Sequence, residues 1–288
     1  MRILIAGCGD VGTQLGLRLG EAGHEVWGLR RDCSKLPEPI QGVEADLALP
    51  NTLSILPSDI DMVYYTAAAS GDRSEVGYRK AYLEGLRNVL NAALSQGSHL
   101  KHVFFTSSTS VYGQVAGEEV TETSPTSPQG YSGTVMLEAE RFLGQHEVPG
   151  TSIRFGGIYG PGRTYLIRTI VDGTARLKSR EDHYTNRIHR DDCAGFLAHL
   201  CEQKDLAPLY LGVDNDPAPY NDVLRFIAGE LGKDVPGVSD EVRQDTMRGR
   251  SNKRCLNALL LSTGYKFQFP SFREGYSQLI ADYRASGA

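Results

Sequence analysis

"RILIAGCGDVG" (residues 2–12) sets a short β-rich apolar run directly before three glycines and the start of an amphipathic stretch. A strand that turns through glycine into a helix is the context in which Gly7, Gly9 and Gly12 permit a tight turn and let a pyrophosphate approach the helix N-terminus. With Asp10 and Val11 between them, these are the first positions expected against a dinucleotide. The helix reads "DVGTQLGLRLGEAG", with Val11, Leu15 and Leu19 on one stripe and Gly23 as its stop.

Outward from this turn the pattern repeats. "HEVWGL", "DMVYYTAA", "KHVFFTSS" and "GTSIRFGG" are short apolar runs bounded by Gly, Ser, Pro or Asp. They alternate with helical stretches such as "YRKAYLEGLRNVLNAALSQG" and "YSGTVMLEAERFLGQH". The arithmetic predicts an α/β fold, a Rossmann-type doubly wound parallel sheet buried on both faces. After "GGIYGPGRTY" (156–165) the alternation weakens. A dinucleotide-binding domain over 1–160 and a smaller α/β substrate lobe over 161–288 are expected, with part of the chain returning to the sheet. In the lobe, "DDCAGFLAHLCEQ" and "NDVLRFIAGELG" read as helices opened by Asp or Asn caps, and "DNDPAP" and "GKDVPGVSD" as surface loops.

Composition narrows the class. In 288 residues the net charge is −5 and Lys and Arg form no basic tract, which argues against nucleic acid and anionic membranes as partners and for a small-molecule substrate. Cys8, Cys33, Cys193, Cys201 and Cys255 are odd in number and form no CxxC pair, so reduced and mostly buried thiols are expected, with no zinc site. No signal peptide or membrane helix is read, and a cytoplasmic protein is expected.

The second strand ends in "GLRRD". Where NAD-preferring sites carry an acid for the ribose 2′-hydroxyl this chain has Arg30, followed by Arg31, and two guanidiniums can chelate a 2′-phosphate. NADP is therefore expected over NAD, against the alternative of a solvated loop in which Asp32 neutralises one arginine. Asp46 reads equally as an acceptor for the adenine amino group or as a turn cap.

"TAAAS" (66–70), "TSSTSVYG" (106–113), Tyr131, "RFGGIYGPG" (154–162) and "NRIHRDD" (186–192) occur in this order, and with them the chain resembles the NAD(P)-dependent epimerase/dehydratase family, the extended and atypical branch of the short-chain dehydrogenase/reductases. The resemblance adds Leu47, Thr66, Ala67, Ala68, Phe155, Gly156 and Ile158 to the expected cofactor positions. It also implies catalysis by Tyr131 as general acid/base and Ser108 as the group polarising a carbonyl, against the alternatives of a strand-end serine bonding its own backbone and a helix-start tyrosine packing under the loop. Tyr131 is expected to touch the cofactor as well. The lysine that relatives carry four residues after the tyrosine is Val135 here. A phenol has a pKa of about 10, so without a nearby cation only about one in a thousand is ionised at pH 7. Alcohol oxidation needs the phenolate, whereas carbonyl reduction needs only a neutral donor, and the reductive direction is the expected one.

Other departures bear on the substrate. Gly157 and Thr185 stand where relatives often carry the Asn and Arg of nucleotide-sugar recognition, Arg187 or Arg163 could meet an anion by another route, and Tyr82 replaces a common Asn. His189 with Asp191 and Asp192 reads as a loop histidine followed by a helix cap, and "SNKRC" (251–255) reads as a substrate-anion contact or as a solvated basic loop. The leading expectation is an NADP(H)-dependent oxidoreductase or epimerase/dehydratase-like isomerase for a small sugar-like or carbonyl compound. The alternative is an NADP(H)-binding sensor, catalytically weak, acting through a protein partner. Relatives pair through helices corresponding to 78–97 and 131–146. A homodimer is the implied assembly, although the apolar stripes of those helices could equally face the sheet.

Overall fold

A computed structural model describes residues 1–239 and 251–285, and in it the apolar runs become strands of one seven-stranded sheet. They are β1 (Arg2–Ala6), β2 (Glu25–Arg30), β3 (Gln41–Glu44), β4 (Met62–Tyr65), β5 (His102–Ser108), β7 (Gly150–Phe155) and β11 (Leu209–Gly212), in the spatial order β11-β7-β5-β4-β1-β2-β3. β1 pairs in parallel with β2 on one side and β4 on the other, Ile3 lying opposite Val26 and Met62. Ile3, Leu4 and Ile5 are consequently fully buried, each side chain contributing about 1.5–3 kcal/mol. The Tyr64–Phe104 register between β4 and β5 stacks the two rings at 4.6 Å.

The chain forms two compact units interleaved in sequence. The first comprises residues 1–111, 128–154 and 194–210; the second comprises 112–127, 155–193 and 211–288. In the first, helix α1 (Asp10–Glu21) buries Val11, Leu15 and Leu19 and is followed by Gly23 at φ +84°. The stretch 75–95 is helical throughout but changes pitch: α2 (Glu75–Tyr78) and α3 (Gly85–Ser95) flank a π-helical turn over Arg79–Glu84. Its cause is Tyr65, whose hydroxyl donates to the Ala81 carbonyl, the acceptor that an α-helix would give to the Gly85 N–H. A Cβ on residue 85 would run into that hydroxyl. The apolar stripes of α3 (Leu86, Val89, Leu90, Ala93) and of α4 (Tyr131–Gly144; Val135, Met136, Ala139, Leu143) are buried within the single chain.

The second unit is built from three two-stranded pairs and several helices. β6 (Glu118–Val120) pairs with β13 (Lys253–Cys255), β8 (Gly157–Tyr159) with β10 (Arg187–His189), and β9 (Tyr184–Thr185) with β12 (Ala218–Pro219). Tyr159, Ile167, Leu224, Ile227, Phe272 and Tyr276 centre its core, with helices α5 (Tyr165–Val171), α7 (Tyr220–Leu231) and Phe272–Ala285 around them. Two cap expectations are corrected here. α7 opens from Pro219 with no side-chain cap; Asn221 is buried and instead brackets Lys178, accepting from its N–H and donating to its carbonyl, both at 2.9 Å. At α6 (Arg190–Leu200) the first-turn amide of Asp191 is taken by His189 Nδ1 at 3.2 Å, while the Asp192 carboxylate accepts from Tyr265 Oη and from the N–H groups of Gln268 and Phe269. A buried carboxylate needs several donors, and the segment 265–269 supplies them.

Candidate functional site

In the first unit the glycine turn has the shape a phosphate needs. Gly7 sits at φ +86°, and a Cβ there would lie 2.3 Å from the Ala67 Cα, so only glycine allows β1 and the segment after β4 to approach. Thr66 Oγ1 ties the same two segments by donating to the Gly7 carbonyl at 3.0 Å, and it would also meet a Cβ on Gly12 at 2.8 Å. Gly9 is different: it is exposed, and a Cβ there would meet nothing nearer than 3.8 Å. It caps α1 without a side-chain cap, and the first intrahelical bond is Thr13 N to Gly9 O at 2.8 Å. Val11 and Gly12 are buried on the helix underside, and Asp10 is exposed in the first turn. Cys8, within the turn, is buried, and burial raises its thiol to about 11, a packing residue with no thiolate character.

Arg30, at the end of β2, donates to the Cys8 carbonyl at 3.3 Å and so lies along the glycine turn, and Arg31 reaches Ser70 Oγ at 2.9 Å. Asp32 forms no hydrogen bond with either: its carboxylate accepts from the Ser34 N–H and hydroxyl at 2.9 and 2.6 Å, bonds that hold it below the usual carboxylate range. Both arginines therefore keep donors available for a phosphate. Asp46 turns Oδ1 onto the Ala48 N–H at 2.9 Å, the turn-capping geometry, and the Leu47 carbonyl accepts from Asn88 Nδ2 at 3.0 Å. Ala67 is buried under Gly7, Ala68 is exposed, and the Ala69 N–H donates to Tyr82 Oη at 3.3 Å. Tyr82 thus returns a polar atom to the position where relatives often carry Asn.

Ser108, at the end of β5, accepts from the Ser110 N–H at 3.1 Å, leaving its own O–H free to donate. Tyr131 opens α4, is 41% exposed, packs edge-on against Tyr78, and donates its hydroxyl to the Arg73 carbonyl at 2.6 Å. No hydrogen bond joins Ser108 and Tyr131. One turn along α4, Val135 is fully buried. The position that holds a cation in relatives is here part of the apolar interior. Gly133 explains how α4 lies so close to the Ser108 segment: a Cβ there would sit 2.4 Å from the Ser110 carbonyl.

The remaining predicted positions lie at or in the second unit. Phe155 is buried, the Gly156 N–H donates to the Gly212 carbonyl at 3.0 Å, and Ile158 pairs with Ile188 across β8 and β10. Arg163 is exposed, whereas Arg187 is buried, donating Nη2 to Thr185 Oγ1 at 2.5 Å with Nη1 buried and without a partner. Sequence reading misses Asp214: "DNDPAP" reads as a surface loop, yet this residue is 2% exposed. Its N–H donates to the Arg187 carbonyl, Oδ2 has no partner, and burial raises its carboxyl to about 7, partly countered by Arg187. Its only sequence signal is its place directly after the apolar "LYLGV" run. Among the described residues no three His, Cys, Asp or Glu side chains gather as a metal site requires, and no helix is long and apolar enough to cross a membrane.

A family model described as the NAD dependent epimerase/dehydratase family matches residues 3–206. Protein YeeZ of Escherichia coli (strain K12) is 27% identical over 93% of this chain and 96% of its own. A 3-diazoavenalumate denitrifying reductase of a Streptomyces species is 27% identical over 96% and 99%. Among solved structures, one from Methylobacillus flagellatus assigned to the NAD-dependent epimerase/dehydratase class is 38% identical, covering 98% of both chains at a TM-score of 0.80.

Proposed function

The chain belongs to the NAD dependent epimerase/dehydratase family, and on that premise we propose that it is an NADP(H)-dependent reductase, or an epimerase/dehydratase run on the same chemistry, acting on a small polyhydroxy or carbonyl compound. The observation that carries this reading is the glycine turn: Gly7 closed onto Ala67, Gly9 left open at the uncapped start of α1, and Arg30 laid along the turn. A dinucleotide fits such a cradle through the α1 N-terminus, with Arg30 and Arg31 as the donors for a 2′-phosphate. When bound it supplies hydride-transfer chemistry.

The chain's own contribution is proton placement. Ser108 keeps a free O–H with which to polarise a carbonyl oxygen. Tyr131 carries the proton that oxygen takes up, and its hydroxyl must leave the Arg73 carbonyl to deliver it. With Val135 in place of a cation, proton donation is the better supported half of the cycle, so reduction outruns oxidation at neutral pH.

Two measurements test this. NADPH should bind more tightly than NADH, and Arg30→Ala with Arg31→Ala should remove that preference, a loss of about 10- to 100-fold; equal affinity for the two nucleotides in the wild type would sink the NADP assignment. NADPH oxidation over a panel of aldehydes and ketones should then depend on Tyr131, with Tyr131→Phe lowering turnover by at least about 100-fold. Tight NADPH binding with no Tyr131-dependent turnover would favour the sensor reading, to which the buried Val135 and the backbone-tied Tyr131 hydroxyl lend support.

A further inference from the structure

"SNKRC" carries two adjacent cations, and the second unit treats them differently. Arg254 stays at the surface, 3.4 Å from Glu119 and over the Tyr184 ring. Lys253 is turned inward and is 3% exposed. Its Nζ donates to Ser251 Oγ at 2.6 Å and to the Tyr112 carbonyl at 3.4 Å, both uncharged acceptors. No carboxylate of the described residues lies within 4 Å of it. Glu118, its register partner on β6, gives its carboxylate to the Ala116 N–H at 2.8 Å instead. An ammonium has three N–H donors, so one remains without an acceptor among the described residues. Burial also holds this amine below the usual lysine range.

Two more unfilled polar atoms lie on residues bonded to this strand. Asn252 is 1% exposed; Tyr184 N–H takes its Oδ1 at 2.7 Å, which fixes the amide and leaves Nδ2 buried without a partner. Gln114, whose carbonyl accepts from the Asn252 N–H at 3.4 Å, donates Nε2 to the Pro125 carbonyl at 3.2 Å and leaves Oε1 buried without a partner. Buried polar groups are ordinarily paired, and a buried cation is ordinarily matched by an opposite charge. Here a cation keeps one N–H without an acceptor, an amide donor has none, and an acceptor lacks a donor. Each of these groups has the chemistry to meet an anionic oxygen group or a hydroxyl of a hydroxylated molecule.

We propose that Lys253, with Ser251 and Asn252, binds the carboxylate or phosphate of a small hydroxylated ligand, and that Gln114 accepts from one of its hydroxyls. This deepens the proposed function by giving its substrate a negative charge, and it rests on that reading. Arg187, also deeply buried in this unit, feels the Asp214 carboxyl, whereas among the described residues Lys253 has only Glu118 at longer range, its carboxylate already turned onto the Ala116 N–H.

The test begins with full-length protein saturated with NADPH, so that the positions expected for its phosphates are filled. Inorganic phosphate and, separately, malonate are titrated by calorimetry, and the Lys253 Nζ resonance is followed in lysine-labelled protein. Saturable binding of one anion is expected, with Lys253→Met weakening it by more than about tenfold, Lys253→Arg retaining most of it, and NADPH affinity unchanged. Phosphate alone binding points to a phosphorylated ligand, and malonate alone points to a carboxylate. If the Met variant does not fold, the resonance decides: an anion-dependent shift in the wild type is expected, and its absence overturns the proposal. So does a wild type that binds neither anion, or a Met variant that binds as the wild type does. If NADPH does not bind, the proposed function falls on its own, and the same titrations on the unloaded protein still decide the role of Lys253.

Discussion

Two sets of buried charges, one in each unit, are built in opposite ways. In the first, Arg154 and Glu140 form a closed pair: Nε and Nη2 meet the carboxylate at 2.9 and 2.6 Å, and Ser107 adds its hydroxyl to the same group at 2.5 Å. In the second, Arg187 and Asp214 each keep one buried polar atom without a hydrogen-bond partner, and among the described residues no carboxylate lies within 4 Å of Lys253 Nζ. A closed pair locks β5, α4 and β7 together and offers nothing to a ligand. An open one carries an electrostatic cost that the fold alone does not offset. Among the charges compared, complete pairing marks scaffold and a missing partner marks a place where a ligand can contribute.

The comparison breaks most readily if the apolar interior of the first unit accepts a stray charge. Val135→Lys places an ammonium in its apolar interior, and a loss of upward of about 5 kcal/mol is expected, read by chemical denaturation; near-wild-type stability would mean that the interior is wetter than its packing implies. That substitution is therefore no simple restoration of a missing catalytic lysine. Glu140→Ala opens the closed pair and strands Arg154, for an expected loss of about 3–5 kcal/mol in the same measurement.

Asp214 tests the open side through pH. Its carboxyl is raised from 3.8 to about 7 in the folded protein, mainly by burial. The native state therefore holds this proton more tightly than the unfolded chain does, and the resulting stability is complete below about pH 4 and lost as pH rises to about 7. Asp214→Asn cannot ionise. Its stability relative to the wild type should rise between pH 5 and pH 8, by up to about 4 kcal/mol over the full titration; a constant difference would return Asp214 to the class of ordinary paired carboxylates. Arg225→Ala is the baseline, removing an exposed cation paired with Glu181 and Asp222, and no measurable change in melting temperature is expected.

What was legible in the sequence follows the same division. The β1 turn, the α1 stripe and its glycine stop are set by residues close together in the chain, so spacing and residue type were enough to place them. Asp192 has the composition of a helix cap, but its partners lie 73 to 77 residues further on. Asn221 likewise serves Lys178 from 43 residues away, and Asp214 sits in a Pro- and Asp-rich run that has every local mark of a loop. Burial of those groups is decided by tertiary packing, which local composition does not encode. The Ser108 and Tyr131 positions came from motif order, whereas their present backbone partners, Ser110 and Arg73, could be found only in three dimensions.

The interleaving of the two units bears on how this protein can be made and cut. Strand β11 closes one edge of the main sheet with residues 209–212, so a ribosome must release most of the chain before that sheet can finish. Until then β7 presents an unpaired edge, the kind of surface on which nascent chains aggregate. A fragment ending near residue 160, the natural place to clone a dinucleotide-binding domain, would keep that edge permanently, and it should express as insoluble material while the full chain does not.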